Sequence, residues 1–173
     1  MGRLAAITLC ALWTGCAGLQ REAFIHQQAG DYVYAAPVQA VWPHVVELIR
    51  EEGFSIREDP SRNLLTTEWR EEMSASTIAA SFTRYLVEAV ALDDGHTRVR
   101  IIRNSMTVGG GPGFVDGDRH AAAARAYANP SPSGRAARTA SGARDLKMEW
   151  LLLRRVAPTD AAELQELAEA RFR

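Results

Sequence analysis

Apolar residues recur along this chain with two different periods, and the changes of period mark its elements. Asp31-Tyr32-Val33-Tyr34-Ala35 alternates and is aromatic, which predicts a strand. Beyond Pro37, the residues Trp42, Val45, Val46 and Ile49 fall at i, i+3, i+4 and i+7, the stripe of an amphipathic helix. Gly53, just after Arg50-Glu51-Glu52, supplies its stop. Pro43 lies inside the pattern and is compatible with it if the helix begins near Val41. The period then drops to two. Phe54 and Ile56 alternate with polar residues, Asp59-Pro60-Ser61-Arg62-Asn63 makes a turn, and Leu65, Thr67 and Trp69 alternate again, which predicts a hairpin. Ser81 to Leu92 and Thr97 to Thr107 form a second pair of strands around Asp93-Asp94-Gly95.

From Val108 to Ala143 the pattern breaks. Gly109-Gly110-Gly111-Pro112-Gly113 opens this stretch, Ala121 to Ala128 suits one short helix, and few large apolar side chains occur in it. It is expected to be a flexible insert that folding does not need. Two helical runs follow. Leu146, Trp150 and Leu153 form one stripe. Thr159 is placed to cap a last helix carrying Ala161, Leu164, Leu167 and Ala168. The order predicts an α+β fold, an antiparallel sheet with a long helix and the C-terminal helices gathered on one face. Trp42, Trp69 and Trp150 are expected in the core between helix and sheet.

The N-terminus carries a different signal. Arg3 precedes an apolar run from Leu4 to Trp13, and Thr14-Gly15 precede Cys16. The run is short for a bilayer span, which needs about 20 apolar residues. A charged start, a short apolar segment and small residues before a cysteine resemble a bacterial lipoprotein signal. That resemblance implies removal of residues 1–15, lipid on Cys16, and a location in the cell envelope. By resemblance to enterobacterial sorting, Ala17 in place of Asp after the cysteine implies the outer membrane. Residues 16–30 then read as a polar tether and 31–173 as a single domain. The only other cysteine is Cys10, inside the signal, so the exported chain can form no internal disulfide.

A net charge of -1 gives no global attraction to nucleic acid. Hydrophobic residues make up 47% of the chain, enough for a real core. Catalytic chemistry finds little support. Ser74, Ser76 and Ser81 lack a Gly-x-Ser-x-Gly context, and the glycines from 109 to 113 lack the Lys-Ser/Thr of a phosphate loop. His26, His44, His96 and His120 are scattered, and Asp116-x-Asp118-x-His120 lacks the remaining ligands of a calcium loop. No catalytic, cofactor or metal site is therefore expected. The insert is basic, and Arg119, Arg125, Arg135 and Arg138 are candidate contacts to anionic lipid or to an acidic partner.

Tyr34-Ala35-Ala36-Pro37, Val41-Trp42-Pro43, Glu52-Gly53-Phe54-Ser55-Ile56, Asp59 and Thr66-Thr67-Glu68-Trp69 together resemble a BamC-type domain. That family comprises lipoprotein accessories of the outer-membrane β-barrel assembly machinery. The match covers mainly residues 31–70, and beyond them it rests on element order. It implies a helix-grip fold and a non-catalytic interaction or scaffolding role with an envelope protein partner. A BamC lipoprotein carries two such domains, and this chain has room for one. The other reading is a periplasmic-side carrier that holds an apolar ligand between helix and sheet.

Overall fold

The computed structural model describes residues 4–72, 79–92, 95–109 and 138–173, and of residues 4–16, 79–80, 107–109 and 138–141 the backbone alone. The described residues form four helices, α1 (Leu4–Gly30), α2 (Val38–Glu51), α3 (Leu146–Val156) and α4 (Pro158–Arg171). They also form six strands, β1 (Ile56–Asp59), β2 (Leu64–Thr67), β3 (Arg70–Glu72), β4 (Ala79–Ala91), β5 (Thr97–Gly109) and β6 (Arg138–Arg144). All pairings are antiparallel, in the order β1-β2-β4-β5-β6, with β3 also on β4. The fold is α+β, an open antiparallel sheet, and among the described residues α2 and α3 pack on the face that carries Val87 and Ile101.

Burial along β4 and β5 explains that sidedness. Tyr85, Val87 and Ala89 are buried, as are Val99 and Ile101 opposite them. These side chains share a core with Val41, Val45 and Ile49 of α2 and with Leu152 and Leu153 of α3. Most of these side chains have no exposed surface, so the interface between α2 and the sheet is filled. The face of α2 follows the expected stripe, but the helix begins at Val38, not near Val41. Pro43 therefore lies past the first turn, and it leaves the carbonyl of Gln39 without a helical donor. Both residues are exposed, so water can supply the missing partner.

The C-terminus of α2 ends in a complete Schellman motif. Gly53 N–H donates to the Arg50 carbonyl at 2.8 Å and Phe54 N–H to the Ile49 carbonyl at 3.5 Å. Gly53 sits at φ +78°, a conformation that costs other residues about 1–2 kcal/mol. Gly53→Ala should lower unfolding free energy by about 1 kcal/mol in urea titration without changing the slope. An unchanged midpoint would show that α2 does not depend on this stop.

The structure corrects several expectations. Ala17 to Gly30 is not an irregular tether: it is the second half of α1, which packs on α3 and α4. Phe24 meets Phe172 edge-on at 5.7 Å, and Ala29 joins the core. The strand expected at residues 31–35 is a single bridge, Tyr34 to Thr97. The expected insert ends sooner than Ala143, because residues 138–144 pair with β5 from Val108 to Ile102 as a strand. Gly142 allows that approach, since a Cβ there would stand 2.7 Å from Asn104 Oδ1. The last helix opens at Pro158 with Ala157 before it, so Thr159 lies inside it and does not cap it.

None of the three tryptophans is fully buried. Trp42 is half-buried at the rim of the core, and its Nε1 donates to Glu58 at 3.0 Å. Trp150 is also half-buried against the core. Trp69 is half-buried under the guanidinium of Arg84, 4.7 Å from its ring. A bulge accounts for its position. Leu65 pairs with Val87 and Arg70 with Thr83, so the chain from β2 to β3 spends one more residue than β4 does. The extra residue reverses the alternation and puts Trp69 on the side of Arg84, away from the helices.

Candidate functional site

Two places concentrate polar chemistry among the described residues. The first lies where α1 ends. Gly30 has no room for a Cβ, which would fall 2.6 Å from Leu146. The Gly30 carbonyl accepts from Arg144 Nη2. Arg144 also donates to both oxygens of Glu149, at 3.2 and 2.8 Å, and stands 3.8 Å from Asp31. Glu149 is only 2% exposed. Its Oε1 accepts the Ile101 N–H at 2.9 Å, while the Ile101 carbonyl accepts from Asp145 N–H at 2.8 Å. These two bonds satisfy β5 where β6 no longer runs beside it. Asp145 caps α3 by accepting from Met148 N–H and also accepts from the Tyr85 hydroxyl, both at 3.1 Å. Burial pushes the Glu149 carboxyl above its ordinary range, although Ile101 N–H and Arg144 pull the other way. Burial and the neighbouring Asp145 likewise push the Tyr85 hydroxyl up. The partners of Glu149, Arg144 and Asp145 lie on α1, α3 and the sheet, so the cluster joins these elements.

The second place is a groove of about 340 Å³ between α1, α3 and α4. It follows from three helical stripes. Gly18, Arg21, Glu22, Ile25 and His26 lie at i, i+3, i+4, i+7 and i+8 on α1. Lys147, Trp150, Leu151 and Arg154 lie at i, i+3, i+4 and i+7 on α3, and Gln165 and Glu169 one turn apart on α4. Gly30 meets Leu146 at the start of α3, Phe24 meets Phe172 just past α4, and the Tyr32 hydroxyl donates to Asp160 in the first turn of α4. Arg21 stands 3.9 Å from Glu169, and His26 4.0 Å from Glu22. Lys147 and Arg154 are exposed and have no ion-pair partner among the described residues. This groove was not foreseen from the sequence. The spacing of Lys147, Trp150, Leu151 and Arg154 is legible there, but its counterpart on α1 needs residues 17–30 to be helical.

The residues singled out from the sequence do not converge on one site. Cys16 lies within α1, and its side chain is outside the described residues. Arg119, Arg125 and Arg135 are outside them too, as is Asp116-x-Asp118-x-His120. Arg138 opens β6, where its backbone pairs with Val108. Among the described residues no group of three or more His, Cys, Asp or Glu is placed to hold a metal ion. No helix among them is long and apolar enough to cross a membrane. Compared with known proteins, the chain matches no family model and no curated protein.

Proposed function

We propose that this chain is a lipoprotein of the bacterial cell envelope, anchored through lipid on Cys16, and that its domain is a non-catalytic interaction or scaffolding module. The observation that carries the reading is the N-terminal order of Arg3, an apolar run from Leu4 to Trp13, and Thr14-Gly15-Cys16. The filled interface between α2 and the sheet supports a scaffold over a carrier, because Val41, Val45, Ile49, Val87 and Ile101 pack against one another there. The BamC-like residues between 31 and 70 suggest a role beside outer-membrane protein assembly, with an envelope protein as partner. The basic residues Arg119, Arg125, Arg135 and Arg138 are the proposed contacts to that partner or to lipid.

Cell fractionation tests the anchor. Acyl chains contribute about 0.8 kcal/mol per buried methylene, and stable anchoring takes more than one chain. Cys16→Ser should move the protein out of the membrane fraction or leave its signal uncleaved. A Cys16→Ser protein that is processed and still sediments with membranes would sink the lipoprotein reading. Crosslinking from intact membranes should then recover an envelope protein with the wild type.

A further inference from the structure

We infer that the groove between α1, α3 and α4 is a binding site for the headgroup of an anionic glycerophospholipid. The inference rests on the lipid-anchored reading for its setting and adds a specific lipid contact to it. Three permanent cations, Arg21, Lys147 and Arg154, face two carboxylates, Glu22 and Glu169. Glu169 is engaged by Arg21, and Glu22 lies beside His26, which leaves Lys147 and Arg154 with open donors. Lys147 and Arg154 share one face of α3 two turns, about 10 Å, apart, and their long side chains can both reach a phosphodiester, which offers several acceptor oxygens. Between them lie Trp150 and Leu151, with Ile25 across the groove. These apolar surfaces fit the glycerol and the first ester carbons, a mixture that inorganic phosphate cannot use. An indole with one apolar face and one wet edge is suited to the headgroup level of a bilayer.

Position supports the same occupant. Gly18, at the groove, follows Cys16 by two residues, about 3 Å along a helix axis. A lipid on Cys16 would hold the groove close to the bilayer surface. There the headgroups of neighbouring lipids are the most concentrated phosphate esters available.

Titration of the full-length Cys16→Ser chain with monomeric dihexanoyl phosphatidylglycerol tests this without the anchor. The Trp150 indole N–H resonance is the probe. Saturable binding that shifts this resonance is expected, and Lys147→Gln with Arg154→Gln should weaken it at least tenfold. Lys147→Arg should retain it, which separates loss of charge from loss of fold. Dihexanoyl phosphatidylcholine and inorganic phosphate should each bind at least tenfold more weakly. Equal binding of inorganic phosphate would make this a free-anion site and overturn the lipid assignment. So would equal binding of the phosphatidylcholine, or binding that ignores the double substitution. Because this measurement does not use the acyl group, it can fail while Cys16 proves acylated, and the reverse.

Discussion

Arg144→Ala is expected to cost about 3–5 kcal/mol of stability at neutral pH, the usual effect of removing one partner of a buried ion pair. The cost arises at Glu149. Its side chain is 3% exposed against 34% for Arg144, so the carboxylate left behind has almost no access to water. The same substitution frees the Gly30 carbonyl and the contact to Asp31, and with them the join between α1 and the sheet. Glu149→Ala should cost less. The guanidinium it leaves can turn toward solvent, and the main loss is the acceptor for Ile101 N–H. Thermal and urea unfolding of the two variants would rank them. A smaller effect for Arg144→Ala than for Glu149→Ala would mean that burial of Glu149 is not what the pair balances.

The effect should also depend on pH, with a definite sign. Burial already holds the Glu149 carboxyl above its ordinary range in the folded protein. The folded state therefore binds this proton at higher pH than the unfolded chain, whose glutamates titrate near about 4.3. Stability from this group is full below that value and declines as pH rises through the raised folded one. Without Arg144 the carboxyl rises further, so the penalty of Arg144→Ala should be largest near neutrality and shrink toward pH 4. A penalty that stays constant between those limits would show that Glu149 does not titrate in this range. Asp59 moves the opposite way, held low by the Ser61 hydroxyl. It ends β1, far in sequence from Arg144, and keeps its partners in both proteins, so its contribution cancels from the difference between them.

How much of this architecture could be read in advance depends on whether a residue's role is local. The Ile49 side of α2 and its stop at Gly53 are local, because one stripe and one left-handed glycine define them. The turn at Asp59–Asn63 is local as well: Ser61 bonds back to Asp59, and Asn63 takes the positive φ of 50° that asparagine tolerates. The long pair β4 and β5 alternates over most of its length. By contrast, β6 reads Arg-Thr-Ala-Ser-Gly-Ala-Arg, with no large apolar residue. It is a strand because β5 offers a free edge, and sheet edges are completed by backbone pairing. Residues 17–30 carry a weak stripe, since Ala29 and Gly30 contribute closeness and little apolar area. That concealed both the helix and the groove it helps to form. Trp69 shows the third kind of miss. Its face depends on the bulge against β4, a register that no single strand encodes.

Phe54→Ala should be as damaging as any single core truncation in this domain, at about 3–5 kcal/mol. The expectation comes from three roles held by one ring. Phe54 is the residue after Gly53 in the Schellman motif, so its burial closes the end of α2. The ring is 6% exposed and meets Tyr85 edge-on at 5.0 Å with an interplanar angle of 85°. Arg70 stacks on its other face, 3.7 Å from the centroid, while also donating to the Glu52 carbonyl. An edge-to-face pair contributes about 0.5–1.5 kcal/mol beyond area burial, and a cation over a ring contributes a comparable amount. Phe54→Leu should recover much of the area but neither ring contact, and so fall between wild type and Ala. Trp42→Ala is the informative comparison. The larger ring would be the costlier loss if both lay in the core. At the rim, with its Nε1 on the exposed Glu58, Trp42 has less to lose. Phe54→Ala should therefore lower the melting temperature more than Trp42→Ala does. The reverse order would place Trp42 inside the helix–sheet core and Phe54 at its edge, contrary to the packing described.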